Sequence, residues 1–553
     1  MSTFSDYKLY KQYEPEYSGW KLQRDTQNAK RLEYLKKHPE LNNKQDIQRA
    51  QSLLRAIDIM DEYSQKRAED MEVATETVVG YAMDAAAFIG MGAGLFLCKI
   101  KPVEDLILKI LKPIGNALKK DFTKTEGSKA IAVQVAGLGF GVLLSMFAAI
   151  PLMAWAAKTE VSASRKGRFE AMDKELDNPN GFAVLTNEQI KEAQEIAKGI
   201  NVEEKTGNKI TKGFQDSWKT VRDMVTDSDE YLKQRIEFLQ ELEERDNRIN
   251  DNMTPEEIEA AKRDKQLLTK IVEKIDIASQ DYAENAELGT QTAVLSLGAF
   301  GSLLSLGLNK LLNFLNIKSA GKVSAITNIV TGAAVIAGSI FAAQIQKHAS
   351  RVGRYKVKQE LMRNPEELIY VDDEKASKLE NVEPKQQKKK SFFKFLAGLY
   401  KDNKEYQDYK KKQGKAEKQF YKATEQLELS EKQIKDAVTL QKNTFRTFNK
   451  IDENSQKYSE SVEALGKALM TPISLIFATI GGIAAPLIAF GKKLPQTKIE
   501  YANSYAKMYG VILLSVLPSI IMNAAITKEQ KKASRVADMM AIKELDDYKN
   551  FRA

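Results

Sequence analysis

Residues 60–72 read Met60-Asp61-Glu62-Tyr63-Ser64-Gln65-Lys66-Arg67-Ala68-Glu69-Asp70-Met71-Glu72, and the pattern returns twice without a gap. Ile275 to Glu287 reads IDIASQDYAENAE, and Ile451 to Glu463 reads IDENSQKYSESVE. Five positions are identical in all three copies. They are Asp61, Asp276 and Asp452; Ser64, Ser279 and Ser455; Gln65, Gln280 and Gln456; Glu69, Glu284 and Glu460; and Glu72, Glu287 and Glu463. Offsets of 0, 3, 4, 8 and 11 fall on one stripe of an α-helix, so this leading motif predicts a helix with one shared polar face. Solvent does not demand the same polar atoms three times, so the stripe is expected to touch something.

A trailing motif also occurs three times, always after the leading one. It reads Ala163-Ser164-Arg165-Lys166-Gly167-Arg168, then Ala349-Ser350-Arg351-Val352-Gly353-Arg354, then Ala533-Ser534-Arg535-Val536-Ala537-Asp538. Glu-Leu follows in each copy, at Glu175, Glu360 and Glu544, and Asn178-Pro179 and Asn364-Pro365 follow in the first two. The third copy departs by placing Asp538 where the others have Arg168 and Arg354. The small residues at spacing four (Ala163/Gly167, Ala349/Gly353, Ala533/Ala537) predict a notch where another helix approaches closely.

Between each leading and trailing motif lie two long apolar stretches, near Val78–Cys98 and Ala130–Ala157, Ala293–Leu308 and Val323–Ile345, and Ala468–Phe490 and Met508–Thr527. Five of the six match the ~17–25 or more residues that a helix needs to cross ~30 Å of hydrocarbon, and Ala293–Leu308 is shorter. They hold a single charge, Asp84, although 29% of the whole chain is charged, which accounts for the misleadingly polar mean hydropathy of −0.41. Small residues recur at spacing four within them, as at Gly90/Gly94 and Gly137/Gly141, which suits close helix association in lipid.

The fold class expected is therefore all-α and polytopic: three tandem repeats, each with a long charged helix, a two-helix membrane hairpin and a basic trailing helix. The units run over residues 1–200 (hairpin about 78–157), 201–385 (about 293–345) and 386–553 (about 468–527). Long polar, coiled-coil-like helices are expected over Gln23–Glu76, Asp216–Glu287 and Glu405–Glu463, with a helix start at Thr254-Pro255-Glu256-Glu257. Asn178–Gly181 and Asn381–Gln387 read as breaks near the unit boundaries. A hairpin returns its exit beside its start, so Glu69 and Glu72 are expected to face Arg165 and Arg168 within the same unit, with equivalent pairs in the others.

Chemistry is thin. One cysteine, Cys98, and two histidines, His38 and His348, exclude an internal disulfide and leave little for a metal cluster or a histidine relay. No phosphate-binding loop, dinucleotide fingerprint, nucleophile elbow or zinc-protease motif occurs, so no enzyme and no cofactor is expected. Asp84 is the one ionisable group in an apolar stretch, and its counterparts Ala299 and Leu475 are apolar, which argues against a symmetric ion site. The net charge of +9 is dispersed and matched by nearby acids, which does not suit nucleic acid. Lys388, Lys389, Lys390, Phe392 and Phe393 interleave basic and aromatic residues and suit an anionic membrane surface.

The functional expectation is an integral membrane scaffold whose partners are the lipid bilayer and a protein reached through the charged helices. The alternatives are a transporter or channel with threefold repeats, and an α-helical pore-forming or injection-machine protein. Six spans place both termini and the long helices on one face of an inner or plasma membrane. No secretory signal is read in the polar first 75 residues, so that face is expected to be cytoplasmic.

Overall fold

The computed structural model describes residues 2–64, 166–201, 254–314, 349–384, 392–490 and 525–545, less a few positions within these ranges, with residue 522 and scattered positions between 100 and 112. Among the described residues the chain is all-α, and no strand occurs. The helices are α1 (Ser2–Lys37), α2 (44–64), α3 (166–170), α4 (Asn187–Gly199), α5 (Pro255–Phe314), α6 (349–363), α7 (Asp373–Ser377), α8 (Phe392–Tyr409), α9 (Lys415–Ala423), α10 (Glu431–Phe490) and α11 (525–544).

The three leading motifs lie on α2, α5 and α10, and the described parts of the trailing motifs lie on α3, α6 and α11. One apolar core gathers all six helices. Its layers repeat by position. One residue before the motif aspartate stand Met60, Ile275 and Ile451, and four before it stand Ile57, Val272 and Phe448, all buried. Eight before it stand Leu53, Leu268 and Thr444, also buried. Spacings of three and four put these residues on one helix face, opposite in character to the exposed charges that solubilise each helix. The three units therefore do not have separate cores; each contributes a wedge to a common one.

The helices are bounded by local chemistry. Thr254 caps α5 reciprocally: its hydroxyl accepts from the Glu257 amide at 3.3 Å, and the Thr254 amide donates to the Glu257 carboxylate at 3.0 Å. The helix start read at Thr254 is thus in place. Thr186 with Gln189 and Ser430 with Gln433 cap α4 and α10 in the same way. α5 and α10 are each unbroken over 60 residues.

Several sequence expectations need correction. The first polar helix does not run from Gln23 to Glu76 as one piece. It begins at Ser2 and stops at Lys37, before His38-Pro39, because proline disfavours helical backbone in the residue preceding it. Glu405–Glu463 is likewise divided, by a π-helical turn at Lys410–Gly414, a 3₁₀ turn at Thr424–Gln426 and the Ser430 cap. The coiled-coil reading around Leu427 ends there, since the 3₁₀ turn and the cap interrupt any continuous heptad.

Asn178–Gly181 is a docked turn and not a loose break. Asn178 donates to the Tyr421 carbonyl at 2.9 Å and to the Thr424 hydroxyl at 3.0 Å, and Phe182 is buried. Gly181 is required there because a Cβ would enter the Tyr421 ring. The second Asn-Pro, Asn364-Pro365, opens the same kind of turn and buries Leu368.

Among the described residues no helix is long and apolar enough to cross a membrane. Ala293–Leu308 and Ala468–Phe490 continue α5 and α10 as helix, with side chains outside the described residues, and the other four apolar stretches lie almost wholly outside them. The six-span and membrane expectations therefore gain no support from these residues. Lys388, Lys389 and Lys390 also lie outside, as do the side chains of Phe392 and Phe393, and likewise Gln65, Glu69, Glu72, Ala163, Ser164 and Arg165. The side chains of Glu284, Glu287, Gln456, Glu460 and Glu463 do so too.

Candidate functional site

Within a unit, leading and trailing helices run antiparallel and meet through their repeated serines. Ser279 and Ser350 hydrogen-bond in the second unit, and Ser455 and Ser534 in the third. The notch read from the small residues exists: a Cβ on Gly353 would collide with the Ala278 carbonyl, so the α6 and α5 backbones nearly touch. Farther along, Gly466 of α10 lies against Ile526 of α11, so the two legs of the third unit stay side by side beyond the motif.

Between units the repeated aspartates meet the trailing helices in a cyclic order. At the first seam Arg354 of unit two forms an ion pair with Asp61 of unit one at 2.8 Å. At the second, Arg168 of unit one pairs with Asp452 of unit three. At the third, Asp538 of unit three takes the equivalent place, one turn along α11 from Ser534, which meets the Ser455 hydroxyl beside Asp276 of unit two. The same register repeats one turn deeper. Lys358 reaches Asp58 at 2.7 Å in the first seam, and Asn449 donates to the Met172 sulfur at 3.5 Å in the second. Each trailing position plus four meets each leading position minus three, as antiparallel helices require.

Arg168 and Arg354 pair with aspartates of neighbouring units. The glutamates expected to face them within a unit have side chains outside the described residues. Asp281, five residues beyond Asp276, takes Arg535 at 2.6 Å, again between units. The sequence could not show this, because the two ends of a hairpin are adjacent in sequence logic while neighbouring units meet only in three dimensions.

The ring is closed by polar side chains at its centre. Gln280 donates to the Ser455 hydroxyl at 2.6 Å and to Asp276 at 2.8 Å, joining the second and third units. Arg354 also reaches the Ser350 hydroxyl at 3.1 Å and that of Ser279 at 3.3 Å. Burial pushes the Asp61 carboxyl up to about 6, and the neighbouring Asp452 adds to this while Arg354 opposes it. Burial and then Asp452 push Asp276 up to about 7, and burial and then Asp276 push Asp538 well above the ordinary range. The motif aspartates therefore feel one another across a single shared centre.

Outer helices cover the seams. α1 lies over the third: Arg24 pairs with Glu273 at 2.5 Å, Tyr10 donates to Glu529 at 2.9 Å, and Lys543 meets Glu16 at 2.7 Å. α8 and α9 cover the first, where buried Lys358 binds Asp58, Tyr409 and Glu417 at 2.7, 2.8 and 2.6 Å. Burial works against the Lys358 charge, but these partners outweigh it and hold the ammonium above its usual range. Neither Lys358 nor α1 was singled out by sequence, since neither belongs to a repeated motif.

Among the described residues no group of His, Cys, Asp and Glu is arranged to hold a metal ion. The arrangement defines the molecule as an all-α protein of three repeats locked into a polar ring, and what the ring can do is position three helix pairs relative to one another. No protein-family model matches the chain, and neither curated proteins nor solved structures offer a match.

Proposed function

We propose that the chain is an integral membrane scaffold in which the polar ring fixes the mouths of three apolar hairpins at one level. The observation that carries this reading is the continuity of α5 and α10. Each leaves the ring at its motif aspartate and runs as one helix through the apolar segment that follows. From Asp276 to Phe314 that is roughly 57 Å at ~1.5 Å per residue, enough to carry the apolar part well clear of the ring. The hairpins number three, the seams number three, and both are built from the same repeats. The bilayer is the first partner of this scaffold. The location is a cell membrane, inner or plasma, with the ring, α1 and both termini on the cytoplasmic face. A second protein would bind through the charged outer helices.

The expressed full chain should stay with membranes through alkaline carbonate extraction, and its recovery in the supernatant would overturn the membrane reading. Reconstituted in liposomes, it should give no selective ion or solute flux. Selective flux would replace the scaffold by a transporter or channel.

A further inference from the structure

The third seam breaks the rule of the other two. Arg354 and Arg168 neutralise Asp61 and Asp452, but at the equivalent place Asp538 confronts Asp276. The ring thus sets four carboxyl groups against two guanidinium groups. Asp538 is 2% exposed, and neither of its oxygens finds an ordinary hydrogen-bond donor among the described residues. Asp276 is partly buried and accepts from Gln280 and Ser455, and Ser455 in turn meets Ser534, one helical turn before Asp538 on α11.

We propose that the third seam is a proton-binding site, in which Asp276 and Asp538 hold one proton between them in place of the missing arginine. Two carboxylates in hydrogen-bond contact repel strongly when both are ionised, whereas a carboxyl donating to a carboxylate is a short, charge-assisted bond. The shared proton removes one of the ring's two excess negative charges and supplies a donor that can join the pair. Of the neighbouring ionisable groups, Arg168 opposes the rise at Asp276 from its pair with Asp452, and the others are engaged elsewhere. Glu273 is occupied by Arg24 and Lys21, Asp452 by Arg168, Asp61 by Arg354, and Arg535 turns to Asp281. Tyr17 of α1 is the remaining titratable neighbour, and burial first, with Asp538 adding, raises it to about 12, so it stays neutral.

A proton held by the folded chain and not by the unfolded one makes the third seam the pH-sensitive joint of the ring. Both carboxyls are raised above the unfolded value of ~3.9. Their contribution is therefore greatest in acid and declines as pH rises from about 4 through neutrality. One proton released changes the folded-to-unfolded ratio about tenfold per pH unit. This inference rests on the ring and not on the membrane assignment, so either can fail alone.

The test is the unfolding of the purified full chain against pH, in wild type, Asp538→Arg and Asp538→Asn. Relative to Asp538→Arg, which restores the repeat, the wild type should lose about tenfold in that ratio per pH unit between about 4 and 7. Asp538→Asn, which keeps the hydrogen bond without the second charge, should show a shallower loss and serves if the arginine variant does not fold. The infrared C=O stretch of a protonated carboxyl should also be present in wild type at neutral pH and weaker in Asp538→Asn. Parallel pH profiles in all three proteins overturn the proposal. So does stabilisation by calcium or magnesium chloride at pH 8 that Asp538→Asn abolishes, which would make the site a metal site.

Discussion

Gly353 shows how much one residue decides. Its hydrogen side chain lets α6 lie on the backbone of α5, and Arg354 beside it then reaches Asp61 of another unit. Gly353→Ala forces the two backbones apart, and overpacking of this kind costs about 1–3 kcal/mol, to be read as a lower denaturation midpoint. Asp61 makes a second prediction. Its carboxyl is raised to about 6 in the fold, above ~3.9 in the unfolded chain, so the folded state binds the proton more tightly. Its stabilising share is therefore present in acid and lost as pH climbs from about 4 to about 6. Asp61→Asn should flatten that part of the stability profile, and an unchanged slope would show that the carboxyl is better solvated than its burial implies.

At the scale of elements, the fold depends on where the long helices begin and which faces they share. The Thr254 cap satisfies amide groups that would otherwise lack partners at the start of α5. Thr254→Ala should cost about 0.5–2 kcal/mol locally, seen as faster hydrogen exchange at the amides of Glu257 and Ile258 with the ring amides unaffected. These elements were partly legible in the sequence. The Thr254 start, the helical stripe and the small-residue notch follow from local spacing, which a single chain displays. The breaks at His38-Pro39 and around Ser430 also carry local signals, a proline and a Ser-x-x-Gln box, but charge-rich flanks read as continuous helix obscured them. The Asn178 turn was read as a linker because its partners, Tyr421 and Thr424, lie more than 240 residues away.

At the scale of the whole molecule, the seams run between units, so disrupting one should weaken all three. Arg168→Ala leaves Asp452 in the ring without its cation, and breaking a buried pair on one side costs about 3–5 kcal/mol, an upper figure here because Asp452 keeps some exposure. Exchanging the pair, Arg168→Asp with Asp452→Arg, should recover part of that loss in a double-mutant cycle. No recovery in the exchanged pair would contradict the cyclic order of the ring.

Sequence alone determined that the chain is helical, that it is threefold, and which side chains are repeated, because period and repetition are properties of neighbours along a chain. It also marked Asp538 as the departure from the pattern. Only the tertiary structure decided the partners: serines within a unit, arginine and aspartate between units, and two acids face to face at the third seam. Pairing across hundreds of residues depends on which helices share a core, and that core is built from buried faces of all three units.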